Sequence, residues 1–419
     1  MSQININNNV YAPKSFKKRI AMIGPGFVAA ATGVGTGDLV AALVAGAGFG
    51  LSFVWAIVVG AILKYFLNEG VGRFHLATGK TIIEGWQQMG RWATGYFGIY
   101  SVILGFVYGA AATSACALAM SAMFPIMPFW SWAIIHAIIG FLLVWTGRYF
   151  LFEKVMMLLI GLMFITVIGS AALFLPHFGD FLKGFVPTIP DGSFMLVLGL
   201  IGGVGGTITM ASYGYWLKEK GWKGKDWIPM MRLDSKAAYF MTALFTVSLL
   251  IVGSQFLYGT GIQIQGEEGL YQLSDMIGDK YGRLFTWLFL IGFWSAAFSS
   301  LLGVWNGVPY LFADFVRLIQ KKQNQTVTEK DPAYRAYLAW LTFPPMLLLF
   351  FGKPVELIIL YGALGALFMP FLSLSIMWLL NSKQIAKDYR NSILTNIVLT
   401  ACIVLFVILA IQQFTGLFK

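Results

Sequence analysis

The chain of 419 residues is short of charge: 11% of it is Asp, Glu, Lys or Arg, while 58% is hydrophobic. Soluble domains lie nearer a quarter charged, so this composition excludes an ordinary soluble protein. Cysteine is nearly missing. Cys116 and Cys402 both lie in apolar runs, where packed free thiols are expected rather than a disulfide. The chain contains no GxxxxGK[ST] phosphate loop and no His/Cys cluster at metal-ligand spacing. Neither ATP drive nor enzymatic catalysis is therefore supported, and no cofactor is expected. The short alternating segments of a membrane barrel are lacking too. Residues 1–11 are polar and Asn-rich and run into a basic segment, which is not a signal-peptide pattern.

What is there is apolar sequence in membrane-length runs, with a mean hydropathy of +0.75. About 20 apolar residues cross a bilayer. Eleven spans are expected, near 20–46, 51–72, 97–123, 128–146, 151–175, 194–217, 237–259, 284–312, 334–352, 355–380 and 390–414. The longer polar linkers are 176–193, 218–236 and 313–333. The net charge of +11 sits in loops, so the positive-inside rule explains it and nucleic acid does not. With the N-terminus inside, 23 Lys and Arg residues face the cytoplasm; Lys183, Lys280, Arg283, Lys353 and Lys419 face out, and Lys64 falls within a span. The expected protein is an all-α, multi-pass plasma-membrane protein, N-terminus cytoplasmic and C-terminus outside, with a monomer favoured.

Two spans carry glycine-rich breaks. The first has GVGTGD (33–38) and the sixth GVGGTITM (203–210), five spans apart. Transporters built from two inverted five-helix repeats open each repeat with a discontinuous helix and bind cargo between the breaks. Glycine lowers helix propensity and frees backbone carbonyls; close helix packing is the plainer use of the same residues. The expected organisation is a tail (1–19), a first repeat (20–175), a second repeat (194–380) and an additional span (390–414). Asp38 stands in the first break. An aspartate at mid-membrane costs roughly 2.5–3.5 kcal/mol, which marks it as functional, although capping the second half-helix is a sufficient structural use.

Four motifs carry a family resemblance: GPGFVAAATG (24–33), LATGKTIIEGW (76–86), GRYFLFEKV (147–155) and FMPF (368–371). In order and spacing they resemble the Nramp family of divalent-metal transporters over about residues 20–380. The resemblance implies a LeuT-type 5+5 inverted repeat with spans 1 and 6 discontinuous, plus an eleventh helix. The family's metal motifs are altered here. Its first-span Asp-Pro-Gly-Asn aligns with Gly35-Thr36-Gly37-Asp38, and its Met-Pro-His with Met210-Ala211-Ser212. The alanine whose carbonyl helps bind metal aligns with Thr207, and the tenth-span glutamines align with Gly362 and Gly365. The third-span acidic pair has no counterpart between 98 and 124.

Two cargo classes follow. Asp38 as a charge-assisted acceptor, with Gly35, Thr36, Thr32, Thr207, Met210, Ser212, Tyr213, Trp216 and the space at Gly362, suits a sugar or polyol-like solute; this is the favoured reading. The alternative is Mn²⁺ or Mg²⁺ held by Asp38 and Met210, and a non-transporting sensor comes third.

Lys64, some 20 Å from the outer end of its span, is expected to snorkel to the inner interface, with pairing to Asp38 or an ion pathway as its other uses. Glu69, Arg73 and Glu84 are candidates for an inner gating network. His136 is a candidate proton carrier, with a packed histidine favoured. Ser299, Ser300, Trp305, Asn306 and Tyr310 recur at near-helical spacing and either line the pathway or bond other helices. Trp55, Trp86, Trp130, Trp132 and Trp287 are expected as interface anchors. The basic loop 218–227 is expected as a membrane-surface segment that moves with the sixth span.

Overall fold

The structure is a computed structural model and describes residues 12–416 apart from 14, 16, 18, 20–21, 148, 262–266, 323–324 and 352–353. All regular structure among the described residues is helical. The chain opens with two half-helices, α1 (Pro25–Gly33) and α2 (Thr36–Phe49), parted by Val34 and Gly35. A proline suits a first helical position, and Gly33 and Gly35 weaken the helix where it stops. There follow α3 (Val54–Thr78), α4 (Ile82–Met89), α5 (Arg91–Met123), α6 (Phe129–Trp145) and α7 (Tyr149–Met163). α7 continues through a π-helical turn, Phe164–Ile168, into Gly169–Leu173.

After α8 (Phe178–Lys183) comes the second broken helix. It consists of α9 (Phe194–Gly203), an unwound stretch, a 3-10 turn (Ile208–Ser212) and α10 (Tyr213–Glu219). The remaining helices are α11 (Ile228–Leu257), α12 (Glu267–Tyr281), α13 (Arg283–Ile319), α14 (Pro332–Thr342), α15 (Pro354–Asn381) and α16 (Ile393–Gly416).

Among the described residues, six helical segments are each long and apolar enough to cross a membrane: Val54–Thr78, Arg91–Met123, Leu151–Leu173, Lys225–Leu257, Arg283–Ile319 and Glu356–Asn381. Leu39–Phe49, Phe129–Trp145 and Ile393–Ile408 are shorter and apolar. α2 packs along α11, α5 against α13 and α15, and α3 against α9 and α11. Cys116 and Cys402 are free and buried.

Three elements depart from expectation. The ninth span, expected over 334–352, stops at Thr342 and resumes as a single turn, Met346–Leu349. Pro344 and Pro345 lie between, and proline both lacks an N–H and disfavours helix in the residue before it. The stretch between the seventh and eighth spans folds α12, which was not anticipated. α13 has 37 residues, about 55 Å at 1.5 Å per residue, against a hydrocarbon core of about 30 Å. Pro309 lies inside it.

Candidate functional site

The two broken helices meet backbone to backbone. A Cβ built on Gly33 would lie 2.2 Å from the Gly205 carbonyl carbon, and one on Gly206 would lie 2.9 Å from Gly33 Cα. Gly205 and Gly206 have φ of 80° and 90°, a left-handed conformation that glycine adopts without strain.

Neighbouring helices engage the groups freed at the crossing. Ser300 Oγ on α13 donates to the Thr32 carbonyl at 2.8 Å, and Tyr108 OH on α5 lies 3.0 Å from the same Oγ. Thr207 Oγ1 lies 3.4 Å from Tyr361 OH on α15. The rings of Tyr108 and Tyr361 meet edge to face at 4.8 Å. A cavity of only about 10 Å³ lies between them, reaching Ile208 and Val304.

The structure brings Thr32, Gly35 and Thr207 together here. Gly35 packs on Ser300 so closely that a Cβ would lie 1.9 Å from Ser300 Oγ. Thr32 turns its hydroxyl back to the Val28 carbonyl, at 2.5 Å. Met210 is buried. A Cβ on Gly362 would meet no heavy atom within 4 Å. Thr36 and Asp38 begin α2, but their side chains lie outside the described residues.

Ser212, Tyr213 and Trp216 turn elsewhere. Tyr213 OH donates to Asp234 at 2.8 Å, and Trp216 Nε1 donates to Asn306 Oδ1 at 3.3 Å. Ser212 faces Gly307 on α13. The buried Ser212 and Thr209 hydroxyls have no hydrogen-bond partner among the described residues.

Lys64 does not snorkel. It is fully buried, and its Nζ donates to the Gly206 carbonyl inside the second break. Depth along α3 suggested an escape to the interface, but the helix turns this residue toward α9.

The face of the bundle from which α1 starts carries a set of polar clasps. Asp234 on α11 accepts the amides of Gly24 (3.0 Å) and Gly26 (2.6 Å) and so caps α1 from a distant helix. Glu69 accepts from both Arg73 and Arg232, and Arg73 also donates to the carbonyls of Tyr389 and Arg390. Lys220 pairs with Glu153 beside Gly24. Arg317 bridges Asp314 and Glu84, while Asp314 accepts from Thr81 and Tyr215. Thr81 and Glu84 form a capping box that starts α4.

Two carboxyls outside the expected spans, Glu84 in α4 and Glu329 in the 313–333 linker, shift in opposite senses. Burial pushes Glu84 up, but the Arg317 hydrogen bond, the Thr81 amide and the Arg317 and Lys80 charges outweigh it and hold the group below its ordinary value. Burial pushes Glu329 up; hydrogen bonds from Tyr310 and Asn306 offset part of this, and nearby Glu219 adds to it.

His136 is packed. Its Nδ1 meets the Trp132 carbonyl at 2.7 Å, and its Nε2 accepts from Trp294 Nε1 at 2.8 Å. The loop after α10 also packs inward: Trp222 and Trp227 are buried and stacked, with centroids 5.0 Å apart, so the basic loop is not a tryptophan-anchored membrane surface. Trp86 is likewise no interface anchor, because it is buried against Phe97, Phe368 and Phe371.

Sequence reading missed Tyr108 at the crossing and Asp234, Asp314 and Arg317 in the clasps. Tyr108, a polar tip within the apolar span 97–123, was the available signal; Asp234, Asp314 and Arg317 fall in the stretches read as polar linkers, 218–236 and 313–333. Among the described residues, no group of three His, Cys, Asp or Glu is placed to hold a metal ion.

The family model described as Natural resistance-associated macrophage protein-like matches residues 26–415. The chain is 24% identical over 376 residues to the uncharacterized membrane protein YcsG of Bacillus subtilis, covering 88% of each. It is 22% identical over 441 residues to the divalent metal cation transporter MntH of Staphylococcus saprophyticus, covering 99% of this chain and 96% of that one. A crystal structure of a mutant manganese transporter from Eremococcus coleocola matches with a TM-score of 0.81 at 15% identity, covering 98% of this chain and 90% of that one. MhsT in complex with L-phenylalanine matches with a TM-score of 0.56 at 15% identity, covering 92% of this chain and 97% of that one. At these identities the two structures establish the fold alone, which is the LeuT-type helical arrangement.

Proposed function

The chain belongs to the Nramp family of secondary transporters, and from that premise we propose that it carries a divalent metal ion by alternating access, held where the two broken helices meet. The observation that carries this reading is the contact of Gly33 with Gly205 and Gly206. Where two broken helices meet, unwound backbone can turn carbonyl groups toward a cargo, around which the two repeats rock. The repeats would be 20–175 and 194–380, with 390–414 as the additional span.

Relatives named as divalent metal cation transporters favour a metal ion over the sugar or polyol. The geometry leans the same way, because several hydroxyls offered for a sugar are already engaged: Thr32 with Val28, Thr207 with Tyr361 and Tyr213 with Asp234. Asp38 and Met210 are the proposed ligands. A hard ion such as Mn²⁺ or Mg²⁺ held by so few protein donors keeps several waters. With the N-terminus in the cytoplasm of a plasma-membrane protein, the clasped face would be the inner gate. The chain is a carrier and not an enzyme on this reading.

The test is flux. Proteoliposomes holding a metal-quenched dye are expected to dim when Mn²⁺ is added outside. Asp38→Ala is expected to slow this about tenfold or more, equivalent to about 1.4 kcal/mol of lost cargo stabilisation. A wild-type protein that moved no Mn²⁺ or Mg²⁺ yet took up a labelled polyol would overturn the metal reading.

A further inference from the structure

α3 is pressed onto the end of α9. A Cβ on Gly60 would lie 2.9 Å from the Ile201 carbonyl oxygen, so the two backbones all but touch there. Lys64 lies one turn further along the same helical face. It is fully buried, and its Nζ donates to the carbonyl of Gly206, three residues beyond the last residue of α9. The φ of 90° at Gly206 takes this residue out of helical geometry, which frees its carbonyl from any helix ladder.

The carboxyl end of a helix carries partial negative charge and unpaired carbonyls. In discontinuous membrane helices such ends, with the unwound carbonyls beside them, coordinate cations. Here the position a free cation would take is filled by an ammonium tethered to α3. A divalent ion and this ammonium repel each other strongly in a dry interior, so the two cannot share one oxygen.

We propose that Lys64 is a resident cation: its ammonium fills a carbonyl-built cation seat in the second helix break of the cargo-free protein, and an incoming divalent ion competes with it. The seat stands on the contact with Gly206; the competition rests on the divalent-metal reading above. Lys64 is thus a specificity-determining residue that sets how strongly a cation must bind to enter.

Chemical rescue tests it. Lys64→Ala removes the atoms of a propylammonium ion, leaving the Gly206 carbonyl unmet and a space of the matching shape. The full chain, purified in detergent, is melted with n-propylammonium chloride, with neutral 1-propanol and with MnCl₂. Lys64→Ala is expected to melt below wild type and to recover with propylammonium but not propanol, while wild type responds to neither. In Lys64→Gln, half-saturation by Mn²⁺ is expected at a concentration about tenfold lower than in wild type.

A folded Lys64→Ala that melts like wild type and ignores propylammonium overturns the seat. If the alanine variant does not fold, the glutamine variant decides: tighter Mn²⁺ binding supports the proposal, and unchanged or weaker binding overturns it. Rescue by propylammonium with no response to Mn²⁺ in any protein leaves the seat standing and removes the metal reading. Equal Mn²⁺ binding by all three proteins without rescue does the reverse.

Discussion

Asp234 is buried on α11 with its two carboxylate oxygens on the amides of Gly24 and Gly26 and on the Tyr213 hydroxyl. The first amides of a helix have no partner within it, and here a charged acceptor from another span supplies one. Asp234→Ala strands two buried amides and a hydroxyl, and a loss on the order of 3 kcal/mol is expected from the cost of such orphans. Tyr213→Phe removes one bond and is expected to cost about 1 kcal/mol. Thermal melts of the two variants check the order; equal, negligible shifts would show that the cap holds nothing. None of this was legible beforehand, since positions 210 and 208 residues apart are joined and one sequence carries no trace of the pairing. Lys64 was misread for a related reason: its place along α3 gives depth, whereas the face it points from depends on the contact at Gly60.

At the scale of elements, the breaks were the legible part. Glycine-rich stretches at 33–38 and 203–210 do interrupt helices, because Gly205 and Gly206 take conformations that other residues adopt only with strain. The interruption at Pro344 and Pro345 was equally visible, yet hydropathy outweighed it and a continuous span was expected. The segments between the expected spans carry a pH signature. Glu84 titrates below its ordinary value of 4.5, so the stability it contributes is full above that value and is lost as pH falls through the lower folded one. Glu329 titrates above 4.5, so its contribution has the opposite sign: the fold gains as pH falls through the raised value and is weakest at neutral pH. Glu84→Gln is therefore expected to lower the melting temperature at pH 7, and Glu329→Gln to raise it. Both differences should shrink toward pH 4. Melts across that range decide, and a Glu329→Gln protein less stable than wild type at pH 7 contradicts the assignment.

For the molecule as a whole, membrane character and the order of the long helices followed from hydropathy, because burying apolar length in lipid constrains composition along the entire chain. Cargo class did not follow, because it turns on a few side chains whose directions depend on tertiary contacts. The clasped face makes its own prediction. Arg317 ties α13 to α4 through Glu84, and Asp314 ties α13 to α10 through Tyr215. Removing the guanidinium should shift the population toward the state open on that side. A cysteine placed at the buried Ser212 is expected to react with a maleimide several-fold faster in an Arg317→Ala background than in its absence. Unchanged labelling would mean that this clasp does not hold the face shut.

α13 spans 37 residues, with Ser300 near its midpoint and Arg317 close to one tip. The arm between them is about 26 Å long, and much of it reaches past the hydrocarbon. Pro309 lies within that arm, so the part beyond it can bend as well as tilt. A tilt too slight to break the Ser300 bond to Thr32 at the pivot becomes a sweep of several ångströms at the guanidinium, so an event the size of one ion at the centre can unlatch the far end.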